Sequence, residues 1–259
     1  MLWLLGYPDQ ALRCSEDTLA ALEIVDHPFS AAFAHVIAAF LRQYLRDPDA
    51  TRAMADKAIE LAAQHGLELI RAMAVTLRAW TLTWQGAMDE GIAQMRAGLD
   101  AHVGTGAELL RPYWCWLLAD AQRRAGNASE ALTLIDEAEA AIQRSDESYL
   151  HAEVHRLRGQ VLLQVDASAV SAAEASYQRA LEIAREQQAR MLELRAAVGL
   201  ALLWHNQGRT EEARDTLLPI YDWFGEGHEN PDLIEARTLL EQCDAALEST
   251  GASTLRGGR

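Results

Sequence analysis

Turn signals recur along this chain at one interval. Gly6-Tyr7-Pro8-Asp9, Arg46-Asp47-Pro48-Asp49, Gly86-Ala87-Met88-Asp89 and Gly126-Asn127-Ala128-Ser129 keep the spacing. Asp166-Ala167-Ser168 continues it, and Gly208-Arg209-Thr210-Glu211 comes slightly late. The interval is about 40 residues, the range of helix-pair repeats that stack into solenoids. Each such unit contacts only its neighbours, so a recurrence of this kind excludes most globular folds at once. The chemistry of the junctions agrees. Glycine supplies the left-handed conformation that ends a helix. The polar residues or proline after it begin the next one. Acidic residues then sit in the first turn, where the helix dipole favours them: Asp49, Glu90, Glu130 and Glu211. A small residue follows where two helices must approach closely: Ala11, Gly91, Ala131 and Ala213.

Between junctions the apolar residues keep helical spacing, as in Leu132, Ile135, Ala138 and Ile142. The pattern predicts first helices at 28–46, 67–85, 108–125, 148–165 and 190–207. It predicts second helices at 8–25, 48–65, 88–103, 128–144, 169–187 and 209–224. A final helix at 231–248 caps the stack. The expected fold is all-α, a tetratricopeptide-like alpha-alpha superhelix (solenoid) of about six helix pairs with a C-terminal capping helix. Residues 1–248 form one array, and 249–259, rich in Gly, Ser and Thr, form a disordered tail. Only Leu2 to Leu5 precede the first turn, so the first repeat reads as truncated and the chain as the C-terminal piece of something longer. Trp3, Leu5 and the apolar face after Pro8 would then lack a partner, which makes this end a candidate for self-association.

Charge and composition narrow the function classes. The chain has 259 residues, half of them hydrophobic, with abundant Ala and Leu that favour helix. Its formal net charge is -15, and Lys57 is the sole lysine. Nucleic-acid binding needs clustered cations to displace counterions, so nucleic acid is not an expected partner. Cys14, Cys115 and Cys243 lie far apart, in no metal-type spacing, which points to reduced thiols and a cytoplasmic setting. The apolar start lacks the basic region, length and cleavage site of a signal peptide. No apolar run is long enough to span a bilayer, so no membrane partner is expected.

Several segments resemble the C-terminal repeat region of large bacterial signalling proteins. In these, a class III nucleotidyl cyclase domain or a DNA-binding domain precedes a STAND-type signalling ATPase and then tetratricopeptide-like repeats. The likeness rests on Gly86 to Gly91, Gly104-Thr-Gly-Ala-Glu-Leu109, Arg111-Pro-Tyr113 and Leu118-Ala119 to Ala131-Leu132. It continues through His155-Arg-Leu-Arg-Gly159, Tyr177-Gln-Arg-Ala-Leu-Glu-Ile-Ala184, Glu193-Leu-Arg-Ala-Ala197 and Leu203-Trp204. It closes with Gln207-Gly208-Arg209, Leu217-Leu-Pro-Ile-Tyr221 and Trp223-Phe224-Gly225-Glu226-Gly227. The resemblance implies a sensing or partner-binding arm. The cyclase and ATPase domains themselves have no counterpart here, so their activities do not carry over.

Catalytic motifs are absent from the sequence. There is no Gly-x-x-x-x-Gly-Lys-Ser/Thr phosphate cradle and no Gly-x-Ser-x-Gly turn. His151-Ala-Glu-Val-His155 places two histidines on one helix face, but Ala152 stands where a zincin needs Glu, and no third ligand follows from spacing. No catalytic residue, metal or cofactor is expected, and the chain is read as a non-enzyme. The aromatics are more informative. Counting back from each junction gives the first-helix positions that face the concave side of a superhelix. They are Phe33, Phe40 and Tyr44; Trp80 and Trp84; Tyr113, Trp116, Asp120, Arg123 and Arg124; Glu153, Arg156, Gln160 and Gln164; and Arg195. The competing reading is that these aromatics pack between helices. The expected function is a non-catalytic binding module whose partner is a protein or peptide. A small-molecule effector, sensed by a regulatory arm of a cyclase or transcription regulator, is the alternative, and an enzyme with an unrecognised site is the remaining one.

Overall fold

The computed structural model describes residues 1–22, 24, 27–145 and 147–256, with side chains of 250–256 excepted. Among the described residues the only regular elements are helices, and the chain divides into two compact units. One comprises Asp9–Leu150. The other comprises Met1–Pro8 together with His151–Arg259.

The first unit holds α1 (Pro8–Leu22, its first residue excepted), α2 (Pro28–Tyr44), α3 (Pro48–His65), α4 (Glu68–Trp84), α5 (Met88–Gly104), α6 (Arg111–Arg124) and α7 (Ala128–Ser145). Local chemistry sets these boundaries. Pro28 and Pro48 open their helices where a missing N–H costs nothing. The Asp47 carboxylate accepts from the Ala50 N–H at 3.0 Å and caps α3. Gly86 and Gly126 end α4 and α6 at φ 90° and 84°. Arg46 takes φ 56° at the α2–α3 junction, which lacks glycine. α6 starts later than the spacing predicts, because Leu110 turns to φ 66° and gives its N–H to the Glu147 carboxylate at 3.0 and 3.1 Å. Consecutive helices pair as α2 with α3, α4 with α5 and α6 with α7. The first helices α2, α4 and α6 adjoin in a row.

The second unit holds α8 (His151–Val165), α9 (Val170–Glu186), α10 (Arg190–Asn206), α11 (Thr210–Tyr221) and α12 (Pro231–Arg256). α8, α10 and α12 form its row, with α9 and α11 packed behind. α12 thus takes the place of a further first helix. Its bounds include residues 249–256. Once Leu233, Ala236, Leu240 and Cys243 are buried, extending a helix by one hydrogen bond per residue is easy. Residues 257–259 lie outside the described residues.

The expectation that Trp3 lacks a partner is not met. Trp3 is 2 % exposed, so it has partners. Residues 1–7 make one helical turn closed by Leu5 N–H to Met1 O, Gly6 N–H to Trp3 O and Tyr7 N–H to Leu2 O. The last two bonds are a Schellman ending with Gly6 at φ 96°. The turn lies against α10, where the Met191 N–H donates to Leu4 O at 3.2 Å. No rule of local spacing reports such a long-range contact.

Close approach between helices rests on missing side chains. Ala131 and Ala213 are fully buried, and Gly91 lies against Thr83 and the Ala79 carbonyl. Tyr177 of α9 is wedged between Gly159 of α8 and Gly199 of α10. A Cβ at Gly199 would lie 2.6 Å from Tyr177 Cε1, and one at Gly159 2.9 Å from the same atom. Alanine ordinarily improves a helix interior by about 1 kcal/mol over glycine. Here the ring is trapped on both sides, so overpacking outweighs that gain. Gly199→Ala should therefore destabilise the chain by about 1–2 kcal/mol in urea denaturation. Gly104→Ala, where nothing lies within 4 Å, should be neutral or stabilising. Equal midpoints for the two variants would contradict the wedge.

Candidate functional site

In the first unit the concave-side aromatics divide into two sets. Phe40, Trp80, Tyr113 and Trp116 are 8 %, 2 %, 0 % and 4 % exposed. Phe40 and half-buried Tyr44 of α2 meet Tyr113 of α6 at centroid distances of 4.8 and 5.8 Å, and the Tyr113 hydroxyl donates to Gln43 Oε1 at 2.8 Å. α4 stands between α2 and α6 in the row, so side chains of the outer two meet only by closing over it. The four buried aromatics are core, a correction to their reading as groove wall. Large rings gain more from mutual contact than from water, and edge-to-face pairs add about 0.5–1.5 kcal/mol each.

The second set stays accessible. Phe33 is 42 % exposed, and its ring stacks on Phe29 at 6.0 Å with a 10° interplanar angle. Ile37 follows one turn later, also exposed. Phe29, Phe33 and Ile37 recur at i, i+4 and i+8, one stripe along α2. Sequence reasoning selected only Phe33, although the same spacing marks the other two. Trp84 is exposed as well, but Arg124 covers one face of its ring at 4.1 Å. Arg124 is anchored by Thr83 O at 2.7 Å, and partial burial holds its guanidinium below the ordinary arginine range. Arg123 pairs with Asp120 at 2.8 Å.

In the second unit the expected groove charges neutralise one another. Glu153 is buried and accepts two hydrogen bonds from Arg156 at 2.9 Å and one from Arg195 at 3.3 Å. Arg195 donates to Asp232 at 2.8 Å, and the Trp3 ring lies 4.7 Å from its guanidinium carbon. Burial alone would lower the Arg195 pKa, but Asp232 and Glu153 outweigh it and hold the group above the ordinary arginine range. Glu153 and Arg195 are thus a buried ion network, a correction to their placement on an open face. Arg156 is tied into the same network, Gln160 is half-buried, and Gln164 is exposed.

Burial acts on two of the thiols and one histidine. Burial pushes the Cys115 thiol up to about 11, and it pushes the Cys243 thiol up as well. Cys14 is exposed. His151 and His155 sit with Nε2 atoms 3.2 Å apart, one hydrogen bond between neighbouring turns of α8. His102 is 1 % exposed, hydrogen-bonded through Nε2 to Leu109 O at 2.7 Å. Burial holds its pKa below the ordinary imidazole value. No helix of the described residues is long and apolar enough to cross a membrane.

The chain matches no known family profile and no curated protein. It is similar in structure to several solved proteins. Against a Rap protein complexed with competence and sporulation factor, the TM-score is 0.58 at 13 % identity, covering 88 % of this chain and 68 % of that one. Against the apo form of RapI it is 0.54 at 12 % identity, covering 96 % and 93 %. Against BtubC (BKLC) of P. vanneervenii it is 0.53 at 16 % identity, covering 94 % and 91 %. At such identities the likeness establishes the fold, an all-α tetratricopeptide-like repeat.

Two outcomes follow for stability. Arg195→Met keeps the stem and removes the charge, leaving Glu153 and Asp232 buried without it. Breaking a buried pair in this way should cost about 3–5 kcal/mol in chemical denaturation. A loss below about 1 kcal/mol would show the network to be solvated. For His102, the folded pKa lies below the unfolded one, so the unfolded chain takes up the proton first. The stability this group contributes is present above about pH 6.5 and lost as pH falls below it. The melting temperature should therefore fall between about pH 7.5 and pH 5.5, and His102→Gln should reduce that fall.

Proposed function

We propose that this chain is a non-catalytic binding module, a scaffold for a protein or peptide partner within a bacterial signalling protein. The observation that carries the reading is the exposed stripe Phe29, Phe33 and Ile37 on α2. Single exposed apolar residues are ordinary, but three in register on one helix, two of them stacked rings, make a continuous apolar strip. α2 is otherwise well seated, with Ala32, Val36, Ala39 and Phe40 buried. The strip is thus a fixed feature rather than a loose end. Aromatic side chains on a rigid element offer large contact area at little entropic cost, the pattern of binding hot spots.

Two further points support it. The chain shares its fold with a Rap protein whose structure holds competence and sporulation factor. Its repeat motifs resemble the arms that follow cyclase and STAND ATPase domains, which favours a place in cytoplasmic signalling. The buried charges and thiols described above are engaged in holding the fold, which supports a role without chemistry.

The test is selection of linear peptides from a phage-displayed library against the whole chain. Selected peptides should carry apolar anchors, and Phe33→Ser should weaken them at least tenfold, as expected for loss of a hot-spot ring. Since Phe33 is 42 % exposed, its melting temperature should hardly change. Selected peptides whose affinity is unaltered by both Phe29→Ser and Phe33→Ser, or a library that yields none, would refute the reading.

A further inference from the structure

Residues 1–8 occupy a formed surface of the unit that carries α8 to α12. Trp3 is buried with its ring over the Arg195 guanidinium. The Leu4 carbonyl receives the Met191 N–H in the first turn of α10. That helix has Ala189 at its N-cap and no side-chain cap, so the donor would otherwise have only water. Gly6 is buried where any side chain would collide with the Trp223 ring, and Tyr7 meets the same ring at 5.8 Å. Pro8 fits against Gly227, which has no side chain to obstruct it. Three parts of the segment therefore have a matching feature in the helices: a cation for the indole, a helix N-terminus for the carbonyl, and a ring wall for the glycine.

We propose that this surface is a binding site for a short helical turn bearing tryptophan, filled in cis by residues 1–8 and open to a peptide of the same chemistry in trans. The inference goes beyond the reading of α2 and does not depend on it. Two observations support exchange. First, the Arg195 charge of the surface is paired without help from the occupant. Arg195 is already paired with Glu153 and Asp232, and the Asp232 N–H is bonded to Asn230 Oδ1 at 2.8 Å. Withdrawal of residues 1–8 leaves the Arg195 pairs in place and opens the guanidinium face, the Trp223 ring and the Met191 N–H to water. Second, the occupant carries its own shape. Its turn is closed by its own backbone hydrogen bonds, so it folds onto the site with little ordering of the helices. A tethered occupant acts at an effective concentration of roughly millimolar, which a free peptide must outcompete.

The probe is a fluorescein-labelled, C-terminally amidated peptide with the sequence Met-Leu-Trp-Leu-Leu-Gly-Tyr-Pro, followed by anisotropy with the full chain. The parent should bind it weakly. Trp3→Ala, which removes the anchor of the cis occupant and leaves the site intact, should bind it at least tenfold more tightly. Adding Trp223→Ala, which removes the wall contacted by Gly6 and Tyr7, should abolish the gain. Equal, or no, binding by the parent and a folded Trp3→Ala variant would overturn the proposal. Should Trp3→Ala fail to fold, hydrogen exchange of the parent decides. The Met191 amide should exchange at least tenfold faster than that of Arg195 as the segment opens, and equal protection would mean a fixed structural element.

Discussion

α10 is buried on nearly every side, and much of the second unit follows from that. Of its residues from Met191 to Trp204, only Gly199 and Leu202 are absent from the buried set, and Tyr177 presses on Gly199. A helix apolar all round needs cover in every direction. α8, α9, α11, α12 and residues 1–8 supply it. The charged groups of α10 are then enclosed as well, and an enclosed charge must be paired. Arg195 is met by carboxylates from α8 and α12, one from each side of the row. Glu193 is met by Arg185 and Arg190 at 2.9 and 2.7 Å. The Arg195 pairings need α8 and α12 at fixed positions along α10, so they set register where apolar packing alone would allow sliding.

The same enclosure at α6 explains the fate of the aromatics. Pro112 to Ala119 are buried without a break. Tyr113, Trp114 and Trp116 project from this helix in different directions, and each finds a neighbour. A surface helix would have left one of them to solvent. In a row of parallel first helices the inner side is crowded, and rings there meet one another before they meet a ligand.

Helix positions were legible in the sequence because their causes are local. Proline at the first turn, aspartate at a cap and glycine at a positive φ act within a few residues of the boundary. The small residues Ala131 and Ala213 were legible for the same reason: they recur at one place in each repeat. The division of the aromatics was not legible. Phe33 and Phe40 lie seven residues apart on one helix, on nearly the same face, and differ in that Tyr113 lies over only one of them. Trp80 is buried and Trp84, four residues on, is exposed. Whether a concave-side ring is wall or core depends on how tightly successive repeats curve, a quantity set by packing far along the chain. Residues 1–8 are the extreme case. Nothing near Trp3 in sequence announces Arg195, and the pairing exists only once α10 is in place.

This separation of local and distant causes bears on function. A reaction needs polar groups that converge on a site and retain unmet demand for a proton or a charge. Several converging polar groups meet one another: Arg195 with Glu153 and Asp232, Arg123 with Asp120, and Tyr113 with Gln43. An exposed apolar strip sits at Phe29, Phe33 and Ile37 on the face of a well-seated helix. An apolar surface held rigid and left open lowers its free energy by covering itself with another molecule, at about 25 cal/mol for each Å² removed from water. The repeats supply rigidity along the row, while the residues on one face can vary without disturbing the junctions that hold the stack together.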